Sequence, residues 1–162
     1  MFKIKLLILL LNSLIVVACS SKHAFNNNQK YSVAYINGEY DGLLLKNTLM
    51  ENLKSLNIYE NNAVYNIRAD INHEEEFYIT NIDNTSDRQK IMSSLKIQVI
   101  DQINKCTVLN YNKTISQFYI FASSDQFISN KVAEKKIKKN NTEILVKNLI
   151  PKLIKTKLNC ID

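Results

Sequence analysis

Tryptophan is absent from these 162 residues, proline occurs once and glycine twice. Two glycines can hardly build a phosphate-binding loop or a dinucleotide turn, and no G-x-S-x-G is present, so the common nucleotide and hydrolase motifs are missing. Histidine is almost as scarce. His23 and His73 lie far apart, with no H-E-x-x-H or C-x-x-C near either, and no metal site is suggested. Glu74, Glu75 and Glu76 form an acidic run, but three acids in a row at a strand end read as solvated, with His73 a surface residue beside them. The expectation is a protein without catalysis, metal or cofactor.

What is present starts at the N-terminus. Lys3 and Lys5 precede an apolar run, residues 6–17, broken only by Asn12 and Ser13. A basic start, a short apolar stretch and a small residue before the cut are the pattern of a secretory signal. The run is shorter than the ~20 residues a spanning helix needs. Val16-Val17-Ala18-Cys19 resembles the lipobox of bacterial lipoproteins. That resemblance implies a signal peptide over 1–18, removal before Cys19, and acyl chains on Cys19 that hold the chain to a membrane. Residues 19–30 then form a polar tether, and 31–162 a single domain. Ser20 rather than aspartate after the cysteine implies, in Gram-negative lipoproteins, onward export to the outer membrane.

Hydrophobic residues make up 46% of the chain, enough for one core, and the net charge is +6 before the two signal-peptide lysines leave. A moderate basic excess suits anionic partners. Export makes nucleic acid an unsuitable one, and the Lys135–Lys139 run reads as a solvated helix face or a match for an acidic barrel lumen. The wealth of Asn, Ile and Lys reads as base composition rather than function. Cys106 and Cys160 remain for an oxidising compartment, where they either bridge or stay free thiols.

Residues 31–37 are rich in β-formers and read as a strand, followed by a turn flanked by Gly38 and Gly42 with Asp41 as a cap. Leu45, Leu49, Asn52, Leu53 and Leu56 recur at helical spacing over 43–56. From residue 63 the period becomes two, with Tyr65, Ile67, Ala69 and Ile71 on one side, continuing toward residue 79. A polar loop is expected over 81–90, a strand from Ile91 to about Ile103, a turn at Asn104-Lys105, and a strand over 108–121. Residues 125–158 read as helical, interrupted near Asn140-Asn141 and kinked or restarted at Pro151. Phe127, Ile128, Val132, Ile137, Ile144, Leu145, Leu149, Ile154 and Leu158 supply the expected inward face. The order β-α-β-β-β-α predicts an α+β two-layer sandwich: a four-stranded, mostly antiparallel sheet with two helices on one face.

The lipobox, this element order and three local stretches make the chain similar to the LptE family of lipopolysaccharide-assembly lipoproteins. The stretches are YSVAYINGEYDGLLLKNTLMENL, the polar TSDRQK, and FYIFASSDQFISNKVAEKK leading to LVKNLIPKL. Ser20 departs from the glycine many members carry, and KKIKKNN is unusual for them. The resemblance implies an outer-membrane lipoprotein facing the periplasm. It would plug and help assemble the β-barrel LptD and assist lipopolysaccharide to the outer leaflet. The alternative is a stand-alone lipid-binding lipoprotein or an auxiliary subunit of an ABC-type lipid transport system.

An up-and-down path of these elements places the 81–90 loop and the start of the last helix at one tip. Arg88, Lys90 and Lys131 could gather there and meet lipid A phosphates, Arg88 through a bidentate fork. A solvated loop and helix start is the competing reading. The same path places the Asn104-Lys105 turn and the end of the last helix at the other tip, where Cys106 and Cys160 could meet.

Overall fold

The computed structural model describes residues 29–36, 38–79, 86–120 and 126–161. Residues 1–18, the lipidation position Cys19, the tether through Asn28 and the first half of the expected 81–90 loop lie outside the described residues. The elements are β1 (Tyr31–Val33), α1 (Glu39–Ser55), β2 (Tyr65–Ile79), β3 (Ser86–Asp101), β4 (Cys106–Ile120) and α2 (Phe127–Lys155). The strands form one open sheet in the order β1-β2-β3-β4, with β1 parallel to β2 and the other three an antiparallel meander. Both helices pack on one face, giving the α+β sandwich that the periodicities predict.

Alternation on β3 decides which face that is. Ile91, Leu95, Ile97 and Val99 are buried, while Lys96 between them is exposed. Leu45, Leu49 and Leu53 of α1 meet Leu145, Leu149 and Leu153 of α2 over this surface, all six fully buried. Each such leucine contributes about 2 kcal/mol by removal from water. Strands of about fifty ångströms outrun α1, whose seventeen residues span about 25 Å. The apolar core therefore fills the end bearing the Asp101–Cys106 turn, called here the closed end. The other, open end carries Ile79, Ser86, Ile120 and the start of α2.

Several expectations change. The first strand stops at Val33: the Ala34 N–H still reaches the Ile67 carbonyl at 2.9 Å, and Ile36 then turns into the core. Helix α1 begins at Glu39, so Gly42 lies inside it, buried, and Asp41 sits in its first turn rather than capping it. Gly38 supplies the entry with φ +100°, and its carbonyl accepts the Gly42 N–H at 2.9 Å. Ser86–Lys90 is strand, not loop, because Lys90 and Arg88 each pair on both sides, with Glu76 and Tyr78 of β2 and with Phe118 and Ile120 of β4.

Helix α2 runs unbroken through Asn140-Asn141 and continues past Pro151 to Lys155. Asn141 is fully buried and bonds outward from the helix, donating to Ser93 Oγ at 2.8 Å and to the Ile91 carbonyl at 3.4 Å. Phe127, Ile128 and Val132 are exposed rather than inward. Asn130 and Glu134 take the inner positions instead.

The closed end is tied three ways. Asp101 accepts the N–H groups of Ile103 and Asn104 at 2.8 and 3.0 Å, which ends β3 two residues earlier than expected. The Asn104 bonds and that of Ile103 outweigh desolvation and hold its carboxyl below the usual range. A disulfide joins Cys106 to Cys160 with Cα atoms 5.6 Å apart. Beside it the Ile161 N–H reaches the Thr107 carbonyl at 2.8 Å.

Candidate functional site at the open end

At the open end the two faces of the sheet differ. Gln89 points toward α2 and is buried, so strand alternation sends Arg88 and Lys90 to the uncovered face. There Lys90 Nζ lies 3.4 Å from Glu76 Oε2 and 3.3 Å from the Tyr78 hydroxyl, and 5.6 Å from the centre of the Tyr78 ring. The hydrogen bond to the Tyr78 oxygen and the charge that oxygen carries when ionised, with Glu76 behind them, outweigh desolvation and hold the Lys90 ammonium above its ordinary pKa. Tyr78 in turn meets Phe118 edge-on at 5.5 Å. Phe118 and Ile120 remain largely exposed, and with Arg88 and Tyr119 they line a recess of about 260 Å³.

On the covered face, α2 is held to the sheet by charge rather than by apolar packing. Lys138 Nζ lies 2.8 Å from Glu75 Oε1 and 2.7 Å from Glu134 Oε1, and Lys131 Nζ lies 2.7 Å from Glu134 Oε2. Gln89 donates to Glu75 Oε2 at 2.7 Å and accepts the Tyr119 hydroxyl. Burial pushes the Glu134 carboxyl up, but the two lysine hydrogen bonds outweigh it and hold it at about 2. Burial likewise opposes the Lys138 ammonium, and Glu134 with Glu75 overcomes it and raises its pKa. Phe77, Tyr119 and Phe127 wall a groove of about 280 Å³ above these groups.

His73, expected at the surface, faces α2. Its Nδ1 lies 2.7 Å from Ser93 Oγ, the same oxygen that accepts from Asn141. Burial lowers its pKa; Asp41 and Glu75 pull it up, and Lys138 pushes it further down. The acidic run splits accordingly, with Glu75 turned inward and Glu74 and Glu76 outward.

Arg88, Lys90 and Lys131 thus share one end of the molecule but not one surface, since the sheet separates Lys131 from the other two. Sequence reasoning missed the Glu75–Lys138–Glu134 group. The four-residue spacing of Glu134 and Lys138 was its local trace; their partner on β2 lies some sixty residues away. Among the described residues no group of His, Cys, Asp and Glu could hold a metal ion, and no helix is long and apolar enough to cross a membrane.

No family model and no curated protein sequence matches the chain. Solved structures do match its fold. Rare lipoprotein B from Shewanella oneidensis aligns at TM-score 0.62 and 11% identity, over 78% of this chain and 93% of its own. A minor lipoprotein from Acinetobacter baumannii aligns at 0.61 and 12%, over 84% and 98%. An uncharacterized lipoprotein B from Nitrosomonas europaea aligns at 0.55 and 10%, over 77% and 81%. At these identities the chain shares the fold of bacterial lipoproteins.

Proposed function

We propose that this chain is an outer-membrane lipoprotein, anchored through Cys19 on the periplasmic side, that plugs an LptD-like β-barrel. In that role it helps the barrel assemble and assists lipopolysaccharide toward the outer leaflet. The carrying observation is a fold shared with bacterial lipoproteins behind a sequence that ends its apolar leader in Val-Val-Ala-Cys.

The uncovered face of the sheet supports a lumenal position. Asn66, Arg68, Asp70, Asn72, Lys96, Asn110 and Asn112 make it polar from the closed end to its middle, short of the exposed Phe118 and Ile120 at the open end, which suits the water-filled interior of a barrel and not hydrocarbon. The chain enters the fold at Tyr31, on the closed end, so acyl chains on Cys19 would leave the open end reaching away from the anchor. Arg88 and Lys90 on one face and Lys131 on the other are the cations there for lipid phosphates. Arg88 suits a forked contact and the lysines point-charge contacts.

Extraction of the tagged protein in mild detergent tests this reading. A large outer-membrane barrel should come with it in equal amount. Recovery alone, or with an inner-membrane ABC transporter, would favour the second reading, a stand-alone lipid-binding lipoprotein. The aromatic groove formed by Phe77, Tyr119 and Phe127 is the observation on that side.

A further inference from the structure

The two edges of the sheet are guarded unequally. Beyond Ile67 no described strand covers β2, and from there to its end it carries Arg68, Asp70, His73, Glu74, Glu75 and Glu76. Charges of this kind prevent an edge from pairing with other chains. β4 is the opposite edge, fifteen residues long, without proline and with Lys113 as its single charge. Its closed end is stopped by the Ile161–Thr107 bond, and the rest of the edge has no strand beside it among the described residues.

A groove of about 420 Å³ lies between this edge and α2, lined by Gln117, Lys136, Ile137, Lys139, Asn140 and Glu143. Asn140 donates to Gln117 at 3.1 Å and fixes its floor. Lys139 has a loose exposed partner in Glu143 at 3.8 Å, and Lys136 has no ion pair among the described residues. Within the lysine run Lys138 turns inward to Glu75 and Glu134, and Lys136 and Lys139 are left as the rim of an open strand edge.

We infer that β4 accepts a fifth strand, an acidic extended segment of the barrel partner, with carboxylates over Lys113, Lys136 and Lys139. Backbone hydrogen bonds to the edge supply the attachment, and the lysines select the segment. A second copy of this chain is a poor occupant. Two-fold pairing over the free part of the edge, residues 108–120, sets the two Lys113 side chains diagonally on one face and brings the two lysine rims together. The partner's identity as a barrel rests on the function proposed above; the edge and its basic rim do not.

The test replaces Asn112, Ser116, Lys136 and, as a control on the guarded edge, Glu74 with the photo-crosslinking residue p-benzoylphenylalanine in cells. The first three should cross-link to one barrel stretch containing at least two carboxylates, and Glu74 should not cross-link to that stretch. The combined Lys113→Glu, Lys136→Glu, Lys139→Glu variant should lower barrel recovery about tenfold with unchanged melting. Lys136→Glu alone should lower it less, and it reports on the rim if the triple variant melts early. A barrel that is recovered but cross-links only elsewhere, meets β4 through a stretch without acids, or ignores the charge reversals overturns the edge and leaves the plug standing. Absence of any barrel with the wild-type protein overturns both.

Discussion

The Tyr31 hydroxyl donates a 2.7 Å hydrogen bond to the carbonyl of Leu153, joining the first residue of the sheet to the last turn of the final helix. That carbonyl belongs to the group a helix C-terminus leaves without intrahelical partners. Tyr31 is fully buried, and burial raises its phenol pKa, with Tyr65 adding to the effect. Tyr31→Phe keeps the ring and strands the carbonyl, so stability should fall by about 1–2 kcal/mol. Urea denaturation measures it, and an unchanged midpoint would show that another donor reaches Leu153.

The Cys106–Cys160 bridge spans a sequence separation of 54. Closing a loop of this size stabilises by about 4 kcal/mol in the chain-entropy picture. The double Cys→Ser variant should denature at correspondingly lower urea concentration, and added reductant should bring the wild type to the same point. Two alkylatable thiols in the exported, unreduced protein would remove the bridge from the account.

Glu134 gives the open end a pH response. Its folded carboxyl titrates at about 2 against an ordinary 4.5, so the unfolded chain takes up the proton first. Its contribution is complete above the ordinary value and drains away as pH falls from about 5 toward 2. Glu134→Gln should flatten the stability profile over that interval, and a slope equal to wild type would contradict the lysine bonds described for it.

His73 acts higher on the same scale. Burial disfavours its charged form, so its folded pKa lies below 6.5 and the unfolded state again binds the proton first. Stability should decline as pH drops below about 6.5. In His73→Gln the decline between pH 7 and 5 should be shallower, read by melting at each pH.

What could be read beforehand followed from periodicity within single elements. Leu45, Leu49 and Leu53 announce α1, and alternation from Tyr65 to Ile71 announces β2. The start of β3 was hidden because Ser86–Lys90 is wholly polar; its strand character comes from neighbours on both sides. The open half of α2 misled for a related reason. Phe127, Ile128 and Val132 are apolar yet exposed, while Asn130, Glu134 and Asn141 are polar yet buried. The burials of Glu134 and Asn141 depend on Glu75, Gln89 and Ser93, which no local window on α2 contains. For the same reason Arg88, Lys90 and Lys131 could be placed at one end from topology, but not on their separate faces.

The bond between Cys106 and Cys160 also makes β4 and α2 two arms of a single covalent clip, hinged at the end away from their connection. A protease that cuts between Ile120 and Phe127 should therefore release no fragment until reductant is added. The tip could be nicked, or new termini engineered there, and the edge strand would stay fastened to the helix whose lysines border it.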